Sequence, residues 1–205
     1  MALPDNDVLA ALFPAILLLS LLLVAVSSDL RCRRIPNNLI LASWCVALAW
    51  HVLAAPGAWA FDPVSPGSVG LPGALLAGSA MLAAFIPFYL LRIMGAGDVK
   101  LMSVVGMFFG VSGDAWTQLI GVSLFVLAAG GLLAAARMLA TRSSAAVLAN
   151  LRLIFSGYAG RALGMPAPSF DPRTDSADRM PYAVAIATGT LLYLVAKWAG
   201  WITVL

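Results

Sequence analysis

The sequence predicts an all-α, polytopic membrane protein with about six transmembrane helices. Composition is the first observation: of 205 residues, 62% are hydrophobic and only 10% are charged. A soluble domain carries about 25% charged residues, so a surface this poor in charge calls for lipid around it. The second is run length. Apolar residues come in stretches near the ~20 that a helix needs to cross a bilayer, without the alternation of a membrane β-strand. The third is the sorting of basic residues between the two sets of connections that six spans create.

The spans are expected at about 8–28, 35–54, 71–91, 97–111, 115–140 and 181–204. No basic residue precedes the first, as a secretory signal would require, so it reads as a retained span. Pro36 and Pro181 stand at helix starts, where the missing N–H costs nothing. Pro14 and Pro87 lie inside spans and predict kinks. The fourth span, Gly97 to Val111, rises only about 22 Å at ~1.5 Å per residue. That is less than a hydrocarbon core of about 30 Å: either Asp98 at its start lies in a water-filled cleft below the lipid surface, or the bilayer is locally thinned or the boundary lies elsewhere. Between the second and third spans, Pro56, Gly57, Pro63, Pro66 and Gly67 predict an irregular loop.

Arg31, Arg33, Arg34, Arg92, Lys100, Arg137, Arg142, Arg152, Arg161, Arg173 and Arg179 fall on one side of this arrangement. They are eleven of the twelve basic residues, and only Lys197 is on the other. The positive-inside rule places the eleven in the cytoplasm and both termini outside. The one sizeable cytoplasmic segment is 141–180. In it Leu148, Leu151, Phe155, Tyr158 and Ala162 recur at helical spacing, for a helix that packs on the protein or lies on the inner leaflet. Asp171, Asp175 and Asp178 follow in a polar loop. With no internal repeat, the whole of 1–205 reads as one membrane-embedded domain.

The net charge of +3 is spread through connections and does not indicate nucleic-acid binding. Cys32, Cys45 and the single His51 make no metal-ligand spacing, so no metal or cofactor is expected. His51 belongs near the outer face and is given no role. Met94, Met102 and Met107 read as packing. Trp44, Trp50, Trp198 and Trp201 read as an interfacial belt.

Ionisable side chains at apolar spans are costly and invite a functional reading. Asp29 closes the first span and Asp98 opens the fourth, at the same depth on the cytoplasmic side. Singly, each has an ordinary use: Asp29 beside Arg31 or Arg33, and Asp98 as a helix N-cap. Together they suit amide hydrolysis without metal, because two close carboxylates share one proton and supply a base and an acid. Gly95 and Gly97 beside Asp98 would let a substrate backbone approach.

Three stretches bear on what that pair does: Asp29-Leu30-Arg31-Cys32-Arg33-Arg34-Ile35-Pro36-Asn37, Gly95-Ala96-Gly97-Asp98-Val99-Lys100-Leu101, and Pro181-Tyr182 with Ile186 and Gly189. In order and spacing they resemble the type IV prepilin peptidases, membrane aspartic proteases of the GxGD type. The resemblance implies Asp29 and Asp98 as the catalytic pair. Gly95, Gly97, Lys100, Pro36, Asn37, Pro181 and Tyr182 would bind substrate or shape the site. It implies a prepilin or pseudopilin substrate, with a short basic leader, a glycine before the cleaved bond and an apolar helix after it. Cleavage would occur at the cytoplasmic face of the bacterial inner membrane. The paired CxxC motifs of long members are not in this sequence, so the resemblance is to the short, peptidase-only forms that serve Tad-type (Flp) pili, without methylation. For Asn37 and Asn38, capping of the second helix is expected in preference to substrate contact. A proton-coupled carrier, using the same carboxylates, is the rival reading, though carriers often show a repeat. A scaffold of pilus assembly is a third. Oligomeric state is not legible.

Overall fold

A computed structural model describes residues 6–62, 65–91, 93–112, 116–140 and 181–202, with side chains of the first helix described from residue 12. The described residues form six helices: α1 Asn6–Cys32, α2 Asn37–Leu53, α3 Gly70–Leu90, α4 Ala96–Phe109, α5 Trp116–Ala140 and α6 Tyr182–Trp198. The protein is an all-α, polytopic membrane protein. Leu12–Cys32, Gly70–Leu90 and Trp116–Ala140 are long and apolar enough to cross a bilayer, and α2 and α6 are shorter apolar helices. Residues to Gly130 with those from Pro181 form one compact unit; Gly131–Met180 form a second, of which only the end of α5 is described. The helix and polar loop expected within 141–180 lie outside the described residues.

Helix α4 organises the first unit. It packs against α1, α2, α3 and α6, and every residue from Leu101 to Phe109 is buried. A helix buried all round needs no polar face. Its shortness has a packing reason, because its sides meet protein and not lipid. Close approach to α3 depends on glycine. A Cβ on Gly106 would stand 2.6 Å from Met81 Cγ and 2.7 Å from the Ala77 carbonyl oxygen. One on Gly78 would stand 2.5 Å from Met107 Cγ. Small residues bring membrane helices close in the same way. Met94, Met102 and Met107 are buried in this core.

The described part of the connection expected as an irregular loop is held by specific contacts. Pro56 bridges to Ser68 and Trp59 to Pro66. Ser68 N–H donates to the Ala55 carbonyl at 2.7 Å and Gly57 N–H to that of Ser68 at 3.0 Å. Its centre, Trp59-Ala60-Phe61, is buried. Phe61 meets Phe109 at 5.0 Å between centroids, and Phe109 meets Tyr193 at 5.8 Å. The Trp198 indole N–H donates to the Phe61 carbonyl at 2.9 Å. Proline and glycine set the turns; the aromatic plug holds them against the bundle end.

His51, to which sequence assigns no role, locks this end. Its Nε2–H donates to the Met107 carbonyl at 2.9 Å, in the last turn of α4, where carbonyls lack intrahelical donors. Ser68 Oγ donates to the His51 carbonyl at 2.6 Å and accepts Gly70 N–H at 2.9 Å. The Trp44 indole N–H donates to Ser103 Oγ on α4 at 3.0 Å, a contact that ties α2 to α4. Trp201 is exposed.

His51→Ala leaves a buried carbonyl unpaired and should cost about 1–3 kcal/mol. Gly106→Ala overpacks α3 against α4 and should cost a similar ~1–3 kcal/mol. Gly131→Ala meets nothing within 4 Å and should be neutral or stabilising by up to about 1 kcal/mol. Thermal unfolding in detergent checks all three, and equal melting of Gly106→Ala and Gly131→Ala would refute the packing account.

Candidate active site

The two aspartates reach one end of the compact unit from different helices. Asp29 is in the last turn of α1, which runs on to Cys32 rather than ending at the aspartate. It is 8% exposed and accepts the Ala183 N–H, in the first turn of α6, at 3.4 Å. The helix closes just beyond it. Arg33 N–H donates to the Asp29 carbonyl at 2.9 Å and Arg33 has φ 52°, a left-handed cap of the kind usually given to glycine. Ser28 Oγ secures the turn by donating to the Arg34 carbonyl at 2.9 Å. Arg33 is near enough for its charge to act on Asp29, as one of the ordinary uses of that aspartate anticipates.

Asp98 does not cap α4 from outside, as its other ordinary use would have it. It is the third helical residue, N3, and the cap is Gly95. Gly95 N–H donates to Asp98 Oδ2 at 3.0 Å, and the Asp98 N–H returns to the Gly95 carbonyl at 3.1 Å. This is a capping box in which the glycine carbonyl stands in for the missing side chain. Each carboxylate thus rests on an amide at a helix N-terminus, where the partial positive charge suits an anion. Asp29 and Asp98 lie within electrostatic reach of each other, and Tyr182 lies within reach of Asp98.

The remaining expected residues gather around the pair. Ile35 packs on Gly97, where an added Cβ would be 3.2 Å from Ile35 Cβ. Pro36 is the cap residue of α2 and Pro181 that of α6, so both prolines sit one position before the first turn. Asn37, expected to cap α2, does not: no side chain caps that helix. Its Oδ1 accepts the Lys100 ammonium at 2.9 Å. Tyr182 is half-buried and packs against the core.

The residues brought together are therefore Asp29, Asp98, Gly95, Gly97, Lys100, Asn37 and Tyr182, with Pro36 and Pro181 shaping the helix starts. Sequence reasoning missed the Ala183 amide, because a backbone donor leaves no residue-type signal, and missed Ile35 as the partner of Gly97.

The model of the type IV leader peptidase family matches residues 16–136, a stretch that contains both aspartates. This chain belongs to the type IV leader peptidase family. The match covers α1 to most of α5; Pro181, Tyr182 and the Ala183 amide lie beyond it. Neither the curated proteins nor the solved structures include a match.

A Cβ at position 95 would stand 3.0 Å from Asp98 Oδ2. Gly95→Ala should therefore displace that carboxylate while costing at most about 1 kcal/mol in stability, as for an exposed cap. Peptidase activity should fall about tenfold or more, as small misplacements at a reacting centre do. Cleavage assays beside melting curves check this; loss of both together would assign Gly95 a folding role only.

Proposed function

We propose that this chain is an aspartic endopeptidase that removes the short basic leader from prepilin or pseudopilin substrates, with water activated between Asp29 and Asp98. The observation that carries the reading is the placement of these two carboxylates at one end of the bundle, within electrostatic reach of each other and each resting on a helix N-terminal amide. Family membership supports it independently. The rival carrier reading has no specific observation in its favour.

The chemistry follows from the pair. Two carboxylates in one site share a single proton, and the dyad titrates as a unit. The ionised member takes a proton from a water whose oxygen attacks the scissile carbonyl carbon. The protonated member gives its proton to the carbonyl oxygen, forming a tetrahedral gem-diol. Collapse breaks the C–N bond, restores the C=O, and passes a proton to the leaving amine. One oxygen of each carboxylate accepts a backbone amide, and in this reading the other exchanges protons with water.

The aspartates share their end of the unit with Arg31, Arg33, Arg34 and Lys100. By the positive-inside rule this end faces the cytoplasm of the bacterial inner membrane, with both termini outside. A leader that stays in the cytoplasm while the following apolar helix enters the bilayer would present its cleavage site at that depth. In this reading the chain acts as one membrane-embedded peptidase domain on lipid-embedded substrates, in the manner of Tad-type pilus systems.

Co-expression with a tagged pilin precursor tests the proposal. Wild type should remove the leader, and Asp29→Ala and Asp98→Ala should accumulate in the membrane yet lose about 10²–10⁴-fold or more of the rate. Full activity in either variant would sink the dyad. Chelators should leave the rate unchanged. The pH profile should be bell-shaped, with activity lost at low pH when both carboxyls are protonated and at high pH when both are ionised. A single ascending limb would point to one carboxylate acting alone.

A further inference from the structure

Lys100 follows Asp98 by two residues, and its ammonium reaches Asn37 Oδ1 at 2.9 Å. A lysine serving only as surface charge extends into water, because holding its long side chain costs rotamer freedom. Here the side chain is held against the first residue of α2. Asn37 in turn leaves the helix start to Pro36 and offers its oxygen to the lysine. Beside this polar contact is an apolar one, Ile35 on Gly97, at 3.2 Å to an added Cβ.

The segment Arg33–Asn37 leaves the helix that bears Asp29. It is therefore fastened at two points to the first turns of the helix that bears Asp98. The segment needs fastening, since its first residue, Arg33, is held at φ 52°, a left-handed conformation unfavourable for a non-glycine residue. We infer that Lys100 is a positioning residue: its bond to Asn37 tethers the α1–α2 connection to α4 and thereby sets the placement of Asp29 against Asp98. The inference rests on the proposed reading of the two aspartates as a dyad. In this role Lys100 acts through Asn37 and not on the attacking water or the scissile bond.

The test uses the full-length protein and a tagged pilin precursor. Lys100→Met and Asn37→Ala should each lower kcat about tenfold, well within the ~10²-fold that a 1 Å misplacement can cost, with KM within about twofold. The double variant should be no slower than the slower single, because both remove one bond. Asn37→Asp keeps an acceptor for the ammonium and should lose much less than Asn37→Ala. Losses that multiply, or a raised KM with kcat intact, would mean that Lys100 meets substrate directly and would overturn the inference.

A second readout needs no activity. In a Cys32→Ser, Cys45→Ser background, Ile35→Cys with Gly97→Cys places two Cβ atoms 3.2 Å apart, a small relaxation short of the about 3.5–4.5 Å that a disulfide needs. Oxidation should trap the pair, and adding Lys100→Met should lower the trapped fraction severalfold. An unchanged fraction would overturn the tether. A lowered fraction in a protein whose wild type cleaves no precursor would support the tether and refute the peptidase reading.

Discussion

Helix α4 can be buried on all sides from Leu101 to Phe109 only if its neighbours come close and its free backbone groups find partners inside the protein. Both conditions are met by particular residues. Gly106 and Gly78 remove the side chains that would hold α3 off. At the carboxyl end His51 takes the Met107 carbonyl, and Val111 N–H turns to the Gly73 carbonyl at 3.2 Å. The aromatic plug of Trp59 and Phe61 then shields that end. A buried unpaired carbonyl costs more than a made hydrogen bond returns, so the lock by His51 is what makes so short and central a helix tenable.

The opposite end of the same helix carries the proposed chemistry, for a related reason. Its first amides cannot bond within the helix, and one of them, Gly95 N–H, is used on Asp98. The first turn of α6 treats Asp29 in the same way through Ala183 N–H. Carboxylates that would be costly within an apolar bundle are thus placed where helix ends supply donors. The connection between α1 and α2 completes the arrangement. It closes α1 with a left-handed arginine, packs Ile35 on Gly97, and delivers Asn37 to Lys100. A helix core that positions an aspartate by its packing thus accounts for both the fold and the site.

Much of this was legible in the sequence. Span boundaries read from apolar runs agree with the helices to within a few residues through α5; α1 extends beyond Ser28 to Cys32, and α6 ends at Trp198, before the expected 204. Long apolar runs carry that information locally. The two aspartates were legible because ionisable groups stand out in such runs. What stayed hidden depends on partners distant in sequence. Nothing in the sequence around Trp44 and Trp198 signals that their indoles reach Ser103 and the Phe61 carbonyl. The described residues between α2 and α3 look irregular in sequence because what holds them is burial of Trp59 and Phe61 on Phe109, not their own periodicity. Asn37 has the composition of a cap, yet its oxygen is taken by a lysine on another helix.

The central claim is that Asp29 and Asp98 form one chemical unit. Groups acting as a unit lose function non-additively, since removing either removes the whole effect. The most direct measurement is the single-turnover cleavage rate of Asp29→Asn, Asp98→Asn and the double variant on one purified precursor. All three should fall to the same residual rate. A double variant slower than both singles by the product of their separate losses would mean that the two carboxylates work independently, and would contradict the account.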